Sequence, residues 1–467
     1  MIPAINDTGK LLYEQIYEFY RDAIIRQKLK FNERLPSHRT LAKELGIGNN
    51  TVIRAYEQLI HEGYIKNESR KGLFVAKLDA HDWQLQPVKK PPVSPAKRPA
   101  ATKPDFKLFD HLVDEKNFPL KHWRKCTNWA LDHMSFQYEE HAGKDPLKEQ
   151  LQQYLFYSRG VSATVDRLII GSGTTALLFW LAFVLRKTHK EIVFEEPCYH
   201  RPRHLFSEFG YRITPVRVND EDGIDLQKLL KRRADLLYLT PSHQYPMGSA
   251  VPVGNRIQIL NWAKKNKAFI IEDDFDCEFR YKTRLMPSLQ GLDKYNRVIY
   301  VGSFSSSLMP SLRVAYLVLP EDFPIDFKDS IHLTNTVPYI TRRTLAYFME
   351  RGYWERHLKK MRKIYQEKYN VSIAALKKLP ENCIHFNNAP SGLNIFLRIN
   401  SRLSEQELIR RALDRGVSIT PVSGFYHNRS NLPRQPELLF EFGNLPLSEI
   451  GNVVEKLYDA WFQSSDH

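Results

Sequence analysis

The stretch Ile271-Glu-Asp-Asp-Phe-Asp-Cys-Glu-Phe279 sets five acidic side chains within nine residues. The apolar run before it reads as a buried strand, so the acids fall at the strand's C-terminal end, where open α/β sheets bind ligands. A buried aspartate there can pair with a protonated pyridine-type nitrogen. Gly171-Ser-Gly-Thr-Thr175 follows another strand pattern and opens a helix, and backbone N–H groups at a helix N-terminus favour phosphate. Glu195-Glu-Pro-Cys-Tyr199 follows a third strand and ends on an aromatic that can stack on a flat ring. Gly302-Ser-Phe-Ser-Ser-Ser-Leu-Met-Pro-Ser-Leu-Arg-Val-Ala-Tyr316 offers Ser303, Ser305 and Arg313 to a phosphate dianion. Each signal is modest alone; their order along one chain makes them specific.

The elements that position these residues alternate. Arg167–Gly171, Glu191–Glu195, Leu236–Thr240, Ala268–Asp273, Val298–Ser303 and Val314–Leu319 read as buried strands. Thr174–Leu185, Arg203–Phe209, Asp225–Lys231 and Arg256–Lys265 read as the helices between them. Such alternation predicts an α/β fold with a mostly parallel sheet. A long basic amphipathic helix, Glu355–Leu379, follows. Then Ile384–Ile399, Glu405–Arg415, Val417–Val422, Glu437–Phe442 and Glu449–Trp461 suggest a smaller α+β part.

The first 78 residues read differently. Leu11–Lys28 repeats Leu12, Ile16, Tyr20 and Ile24 at helical spacing. In Leu35–Ala76, Pro36-Ser37 starts a helix with Ser37 as cap, Leu41, Ala42 and Leu45 face inward, and Gly46 permits a tight turn. Asn49 or Asn50 can cap the next helix, whose buried stripe is Val52, Ala55 and Leu59, with Gly63 closing it. Tyr64–Ile65 and Leu73–Val75 are short strands around the basic turn Ser69-Arg70-Lys71-Gly72. This is the pattern of a winged helix-turn-helix, and it closely resembles the GntR class of bacterial DNA-binding domains. The resemblance implies that Asn49, Asn50, Thr51 and Arg54 face the major groove, that Arg39 reaches phosphate, and that Arg70 and Lys71 sit on the wing. In that class an arginine often precedes the Asn-Thr pair; here Asn49 stands there.

Between the two parts, Gln84–Pro104 is rich in Pro and Lys/Arg and has no acid, the composition of a semi-extended spacer. The predicted division is therefore a DNA-binding domain over 1–78, a linker over 79–104, and a large remainder over 105–467, itself a large part to about 350 and a small C-terminal part from about 380. A net charge of +15 suits a polyanionic partner. Cys126, Cys198, Cys277 and Cys383 form no CxxC pair, which argues against a zinc site or disulfide framework and fits a reducing cytoplasm. No apolar run is long enough for a membrane span, and MIPAINDTGK lacks the basic-then-apolar pattern of a secretory leader.

From Asp105 onward the chain resembles the fold-type-I aminotransferases, a likeness that Thr240-Pro-Ser-His-Gln-Tyr-Pro-Met-Gly248 sharpens. With its head, the whole length is similar to the MocR/GabR subfamily of transcription regulators, where an aminotransferase-like body senses pyridoxal phosphate and controls a GntR-type head. The resemblance implies a double-stranded DNA operator, a small-molecule effector and a head-to-tail homodimer. It also implies that Ser172, Gly173, Thr174, Ser303, Ser305 and Arg313 hold the cofactor phosphate. Tyr199 then stacks on the ring, Asp273 faces the ring nitrogen and Arg201 lies near the ligand.

Three departures bear on chemistry. Where the family writes the Schiff-base lysine, this chain has Ser306, and a hydroxyl cannot form that bond. Phe275 stands where the family usually has a tyrosine that bonds the cofactor's phenolic oxygen. Asn444, closing Leu438–Asn444, stands where members that sense an amino acid can carry an arginine for its carboxylate. No nearby lysine substitutes, since Lys282 lies beyond the acidic segment, and losing positioned proton transfer alone costs about 10²–10⁴ in rate. The expectation is a regulator whose body recognises pyridoxal phosphate or a related ligand non-covalently, without transaminase activity. Two other readings stay open: a cofactor-dependent aminotransferase-like enzyme with an appended head, and a dimeric DNA-binding protein with a ligand-inert body.

Overall fold

A computed structural model describes residues 1–3, 10–78, 104–108, 113–135, 145–281, 286–323, 336–387 and 391–463. The chain divides into two compact units, Met1–Ala101 and Thr102–His467. The linker at 79–104 (but for its last residue) and Lys282 lie outside the described residues.

In the first unit, α1 (Leu12–Ile25), α2 (His38–Leu45) and α3 (Asn49–His61) precede a hairpin of β1 (Ile65–Glu68) and β2 (Gly72–Val75). The helical spacing of Ile16, Tyr20 and Ile24 meets that of Val52, Ala55, Tyr56 and Leu59 in one buried core. Ser37 caps α2 as the sequence predicts: its Oγ accepts the Thr40 N–H at 3.2 Å. Gly46, at φ +65°, makes the left-handed turn into α3. The predicted asparagine cap is corrected. Gly48 holds the extended cap position without a side-chain bond, and Asn49 and Asn50 lie inside the first turn.

The second unit is built on an eight-stranded sheet. After β3 (Phe106–Leu108) come α4 (Leu120–Asp132), α5 (Pro146–Arg159), β4 (Leu168–Gly171) and α6 (Thr174–Leu185). Next are β5 (Glu191–Glu196), α7 (His200–Glu208), β6 (Arg212–Asn219), β7 (Gly223–Ile224), α8 (Leu226–Leu230) and β8 (Leu236–Leu239). The large part continues through α9 (Val253–Asn266), β9 (Phe269–Asp273), α10 (Leu289–Leu292), β10 (Val298–Ser303), β11 (Ala315–Val318) and α11 (Tyr339–Glu350). The strand order is β4-β11-β10-β9-β8-β5-β6-β7. The β10-β9-β8-β5-β6 run is parallel, while β11 is antiparallel to both its neighbours. Successive side chains alternate between layers, so Ile192 and Phe194 pack on one face with α6 and Val193 on the other. This double burial is why the strands read as continuous apolar runs.

The long helix α12 (Tyr353–Leu376) leads into β12 (Ile384–Phe386), β13 (Asn394–Ile399), α13 (Glu405–Asp414), β14 (Val417–Pro421), β15 (Glu437–Glu441) and α14 (Ile450–Tyr458). The segment expected as one element, Ile384–Ile399, is two antiparallel strands. A second correction concerns the boundary at 105. Strand β3 pairs in parallel with β14 and completes the small sheet, order β12-β13-β15-β14-β3, so the start of the body belongs structurally to the C-terminal part.

Candidate functional site

A cavity of about 600 Å³ opens at the C-terminal ends of the parallel strands, within the size range of small-molecule sites. Thr174, Tyr199, Arg201, Asp273, Phe275, Ser303, Ser305, Ser306 and Arg313 all line it, although they come from four separate stretches of sequence. The small part contributes Ser418–Pro421 and Phe425 to the same wall.

The open part of the cavity is basic. Arg313 sits at φ +54° after β10 and forms no ion pair or hydrogen bond among the described residues. A Cβ on Gly173 would come within 2.3 Å of its Nη2, so only glycine, here at φ +90°, lets the guanidinium close on the α6 N-terminus. Ser303 and Ser305 flank it half-buried. Two residues of the predicted cup, Ser172 and Gly173, are absent from the cavity wall, and the Ser172 backbone N–H donates to Thr336 Oγ1 at 2.9 Å.

Asp273 lines the wall, and it and the buried acids of this region are each treated differently. The Tyr238 hydroxyl donates to Asp273, whose pKa burial pushes up to about 6; a carboxyl so placed gains from a cationic N–H partner. Asp274 is buried, with Arg159 Nε at 2.6 Å and the Tyr300 hydroxyl at 2.7 Å. Burial opposes its charge, but Arg159, Ser242 and Tyr300 override it and hold it below the usual range. Glu195 accepts from the Thr240 N–H and hydroxyl at 2.9 and 2.7 Å, yet burial still raises it to about 7. Asp276 is raised to about 7 by burial and the nearby Glu278 charge, a rise that the Ser306 hydroxyl and the Leu393 N–H temper.

Aromatic rings frame the remainder. Phe275 meets Tyr245 edge-on at 5.6 Å, Tyr245 meets Tyr199 at 6.0 Å, and Phe425 closes the cluster. Arg201 reaches over the Tyr199 ring at 5.8 Å. Asn444 is not on the wall; its amide donates to the Lys107 carbonyl on β3. Sequence reasoning missed Arg159, Tyr238 and His243, because an arginine ending a helix and isolated ring residues carry no periodic signal.

The residues present fit a phosphorylated pyridine: a basic, glycine-relieved cup, an aromatic face, and a carboxyl lacking a cation. Among the described residues no cluster of metal-type ligands occurs, and no helix is long and apolar enough to cross a membrane.

On the head, Arg39 stands exposed on α2, and Asn49, Asn50 and Arg54 are exposed on α3 with Thr51 half-buried. The Arg54 guanidinium lies 4.1 Å over the Tyr13 ring of α1. Arg70, at φ +64°, forms the exposed tip between β1 and β2. Beside it Lys71 Nζ lies 3.7 Å from Glu68.

Together these features define a helix-turn-helix head joined to a fold-type-I aminotransferase body. Residues 12–75 match the model of bacterial regulatory proteins of the gntR family, and residues 110–437 match aminotransferase class I and II. The chain is 37% identical to the Uncharacterized HTH-type transcriptional regulator YdeL of Bacillus subtilis (strain 168), over 98% of this chain and 99% of that one. It is 30% identical to the Probable rhizopine catabolism regulatory protein MocR of Rhizobium meliloti, over 92% and 90%. The body matches a crystal structure of Pyrococcus horikoshii kynurenine aminotransferase at TM-score 0.69 and 22% identity, covering 78% of this chain and 92% of that one, a likeness of fold. The chain belongs to the HTH-type transcriptional regulators that carry an aminotransferase-like domain.

Proposed function

We propose that this regulator binds pyridoxal phosphate, or a close relative, reversibly in its body and adjusts its grip on a DNA operator without transaminating anything. The carrying observation is the convergence of Tyr199, Asp273, Ser303, Ser305 and Arg313 on one cavity whose wall has a serine, Ser306, in place of an amine. Arg313, Ser303, Ser305 and the α6 N-terminus with Gly173 and Thr174 bind the phosphate. Tyr199 covers one ring face, Asp273 accepts from the ring nitrogen, and Arg201 lies beside the ligand. When bound, the cofactor supplies an aldehyde that condenses with amines; Ser306 gives it none. Phe275 adds apolar surface without the phenol bond.

Because the wall draws on both the large sheet and Ser418–Pro421, a bound ligand ties the two parts of the body together, which is how occupancy reaches the head. There Arg39, Arg70 and Lys71 hold phosphates while Asn49, Asn50, Thr51 and Arg54 face base edges; for Arg54 that requires leaving Tyr13. The assembly is a head-to-tail homodimer acting in the cytoplasm.

The test is titration of the full chain with pyridoxal phosphate, read by absorbance and calorimetry, then borohydride reduction and mass spectrometry. Saturable binding with no pyridoxyl mass on the chain is expected. A stable pyridoxyl lysine makes the protein a covalent cofactor binder and removes this reading. Operator affinity, measured with and without ligand, should change on saturation.

A further inference from the structure

The buried part of the cavity carries an inference that rests on the reading above and concerns which form of the ligand is preferred. Of the acids in the 271–279 segment, Asp273 has Tyr238 and Asp274 has Arg159. Asp276 has neither a phenol nor an arginine. It is 3% exposed, and its Oδ1 has no hydrogen-bond partner among the described residues. His243 Nδ1 lies 3.9 Å from its Oδ2. Ser306 lines the wall beside this carboxyl, and its hydroxyl favours the charged form of Asp276. A lysine at 306 would present an ammonium here; the serine presents acceptors backed by an acid.

A neutral aldehyde has no proton to donate to such a wall, whereas an ammonium has three. We propose that the pocket selects the aminated ligand, pyridoxamine phosphate, over pyridoxal phosphate, with Ser306 Oγ accepting from the ligand ammonium while donating to Asp276. The ligand then brings the cation that the chain lacks at residue 306. The arrangement has a pH signature. Asp276 faces His243, Glu278, Tyr281 and Tyr365, and burial with Glu278 sets its pKa at about 7. Its charge, and with it the selectivity, grows as pH rises through that value, while an aliphatic amine stays protonated to about pH 10.

Calorimetric titration of the full chain with pyridoxamine phosphate, pyridoxal phosphate and pyridoxine phosphate tests this, since the three share ring and phosphate. Pyridoxamine phosphate should bind about tenfold or more tightly than the other two, the scale of one charge-assisted hydrogen bond. Asp276→Asn and Ser306→Ala should each shrink that ratio to within about threefold. Should Asp276→Asn fail to fold, Ser306→Ala decides. Ser306→Lys should invert the preference and make pyridoxal phosphate fixable by borohydride. Equal binding of all three ligands, or a ratio that survives both variants, overturns the selectivity and leaves the sensor reading intact. Failure of all three to bind removes both.

Discussion

Ser305 and Ser306 are neighbours in sequence, yet they serve two parts of the cavity built on opposite terms. On the open side, Ser303, Ser305 and Arg313 line the wall, with the Arg313 guanidinium against Gly173, hydrogen-bond donors and a positive charge with no acid paired to them among the described residues. On the buried side, Ser306 lies beside Asp276 among further acids, with no lysine or arginine paired to that carboxyl among the described residues. In the proposed reading, phosphate recognition draws on the donors of the open side, whereas covalent capture would need an amine where Ser306 stands. The contrast teaches that, if the proposed roles hold, recognition and chemistry sit on adjacent residues of one loop and can be altered separately.

The harshest test breaks the scaffold common to both sides. Arg159 holds Asp274, and it also donates to Ser242 Oγ and the Met286 carbonyl. Arg159→Ala leaves a carboxylate buried without its partner, which typically costs about 3–5 kcal/mol. Urea denaturation should show a markedly lower midpoint, and an unchanged midpoint would mean that the buried acids do not depend on this pair.

The two kinds of acid also respond oppositely to pH. Asp276 and Glu195 are each raised to about 7. The native state therefore holds more protons than the unfolded chain between about pH 4 and 7. Their contribution to stability is full near the low end of that window and is lost as pH rises through it, an effect on the order of a few kcal/mol. Asp274, held low by Arg159, works the other way and loses its contribution as pH falls below the ordinary carboxylate range. Asp276→Asn should flatten part of the fall in denaturation midpoint between pH 5 and 7 (about the middle of that window); an identical pH profile would show Asp276 to be ionised throughout.

On the open side, Arg313→Ala should weaken pyridoxal phosphate about tenfold to a hundredfold, the value of a charge-assisted bond to phosphate. Pyridoxal without the phosphate should be unaffected. A loss shared by both ligands would mean that Arg313 shapes the cavity rather than meeting the phosphate.

Much of this was legible in the sequence. Val298–Ser303 and Thr174–Leu185 match their predicted limits, because a doubly buried strand is an unbroken apolar run and Gly173 marks the helix start. Strand β6, next to the two-residue edge strand β7, was not legible, since its burial alternates with exposed Arg212, Arg217 and Asn219. Strand β3 was assigned to the large part because three residues carry no periodicity and their partner, β14, lies some 300 residues later. The asparagine cap failed because Gly48 can adopt the extended cap geometry one residue earlier. The state of each acid was beyond sequence reasoning: Asp273, Asp274 and Asp276 look alike in a row, and only Tyr238, Arg159 and Ser306, brought in from distant segments, set them apart.

The mildest test sharpens the contrast on the buried side. Phe275 lines the cavity against His243 and Tyr245, so Phe275→Tyr adds one hydroxyl to the wall without changing the ring's packing. A neutral hydrogen bond contributes about 0.5–1.5 kcal/mol, so pyridoxal phosphate should bind roughly two- to tenfold more tightly. Borohydride should still leave no pyridoxyl mass, because a phenol at 275 improves recognition and supplies no amine. A tighter complex that stays reversible would separate the two functions in a single variant. An unchanged affinity would instead place the ligand's phenolic oxygen away from residue 275 and require the ring to lie differently between Tyr199 and Asp273.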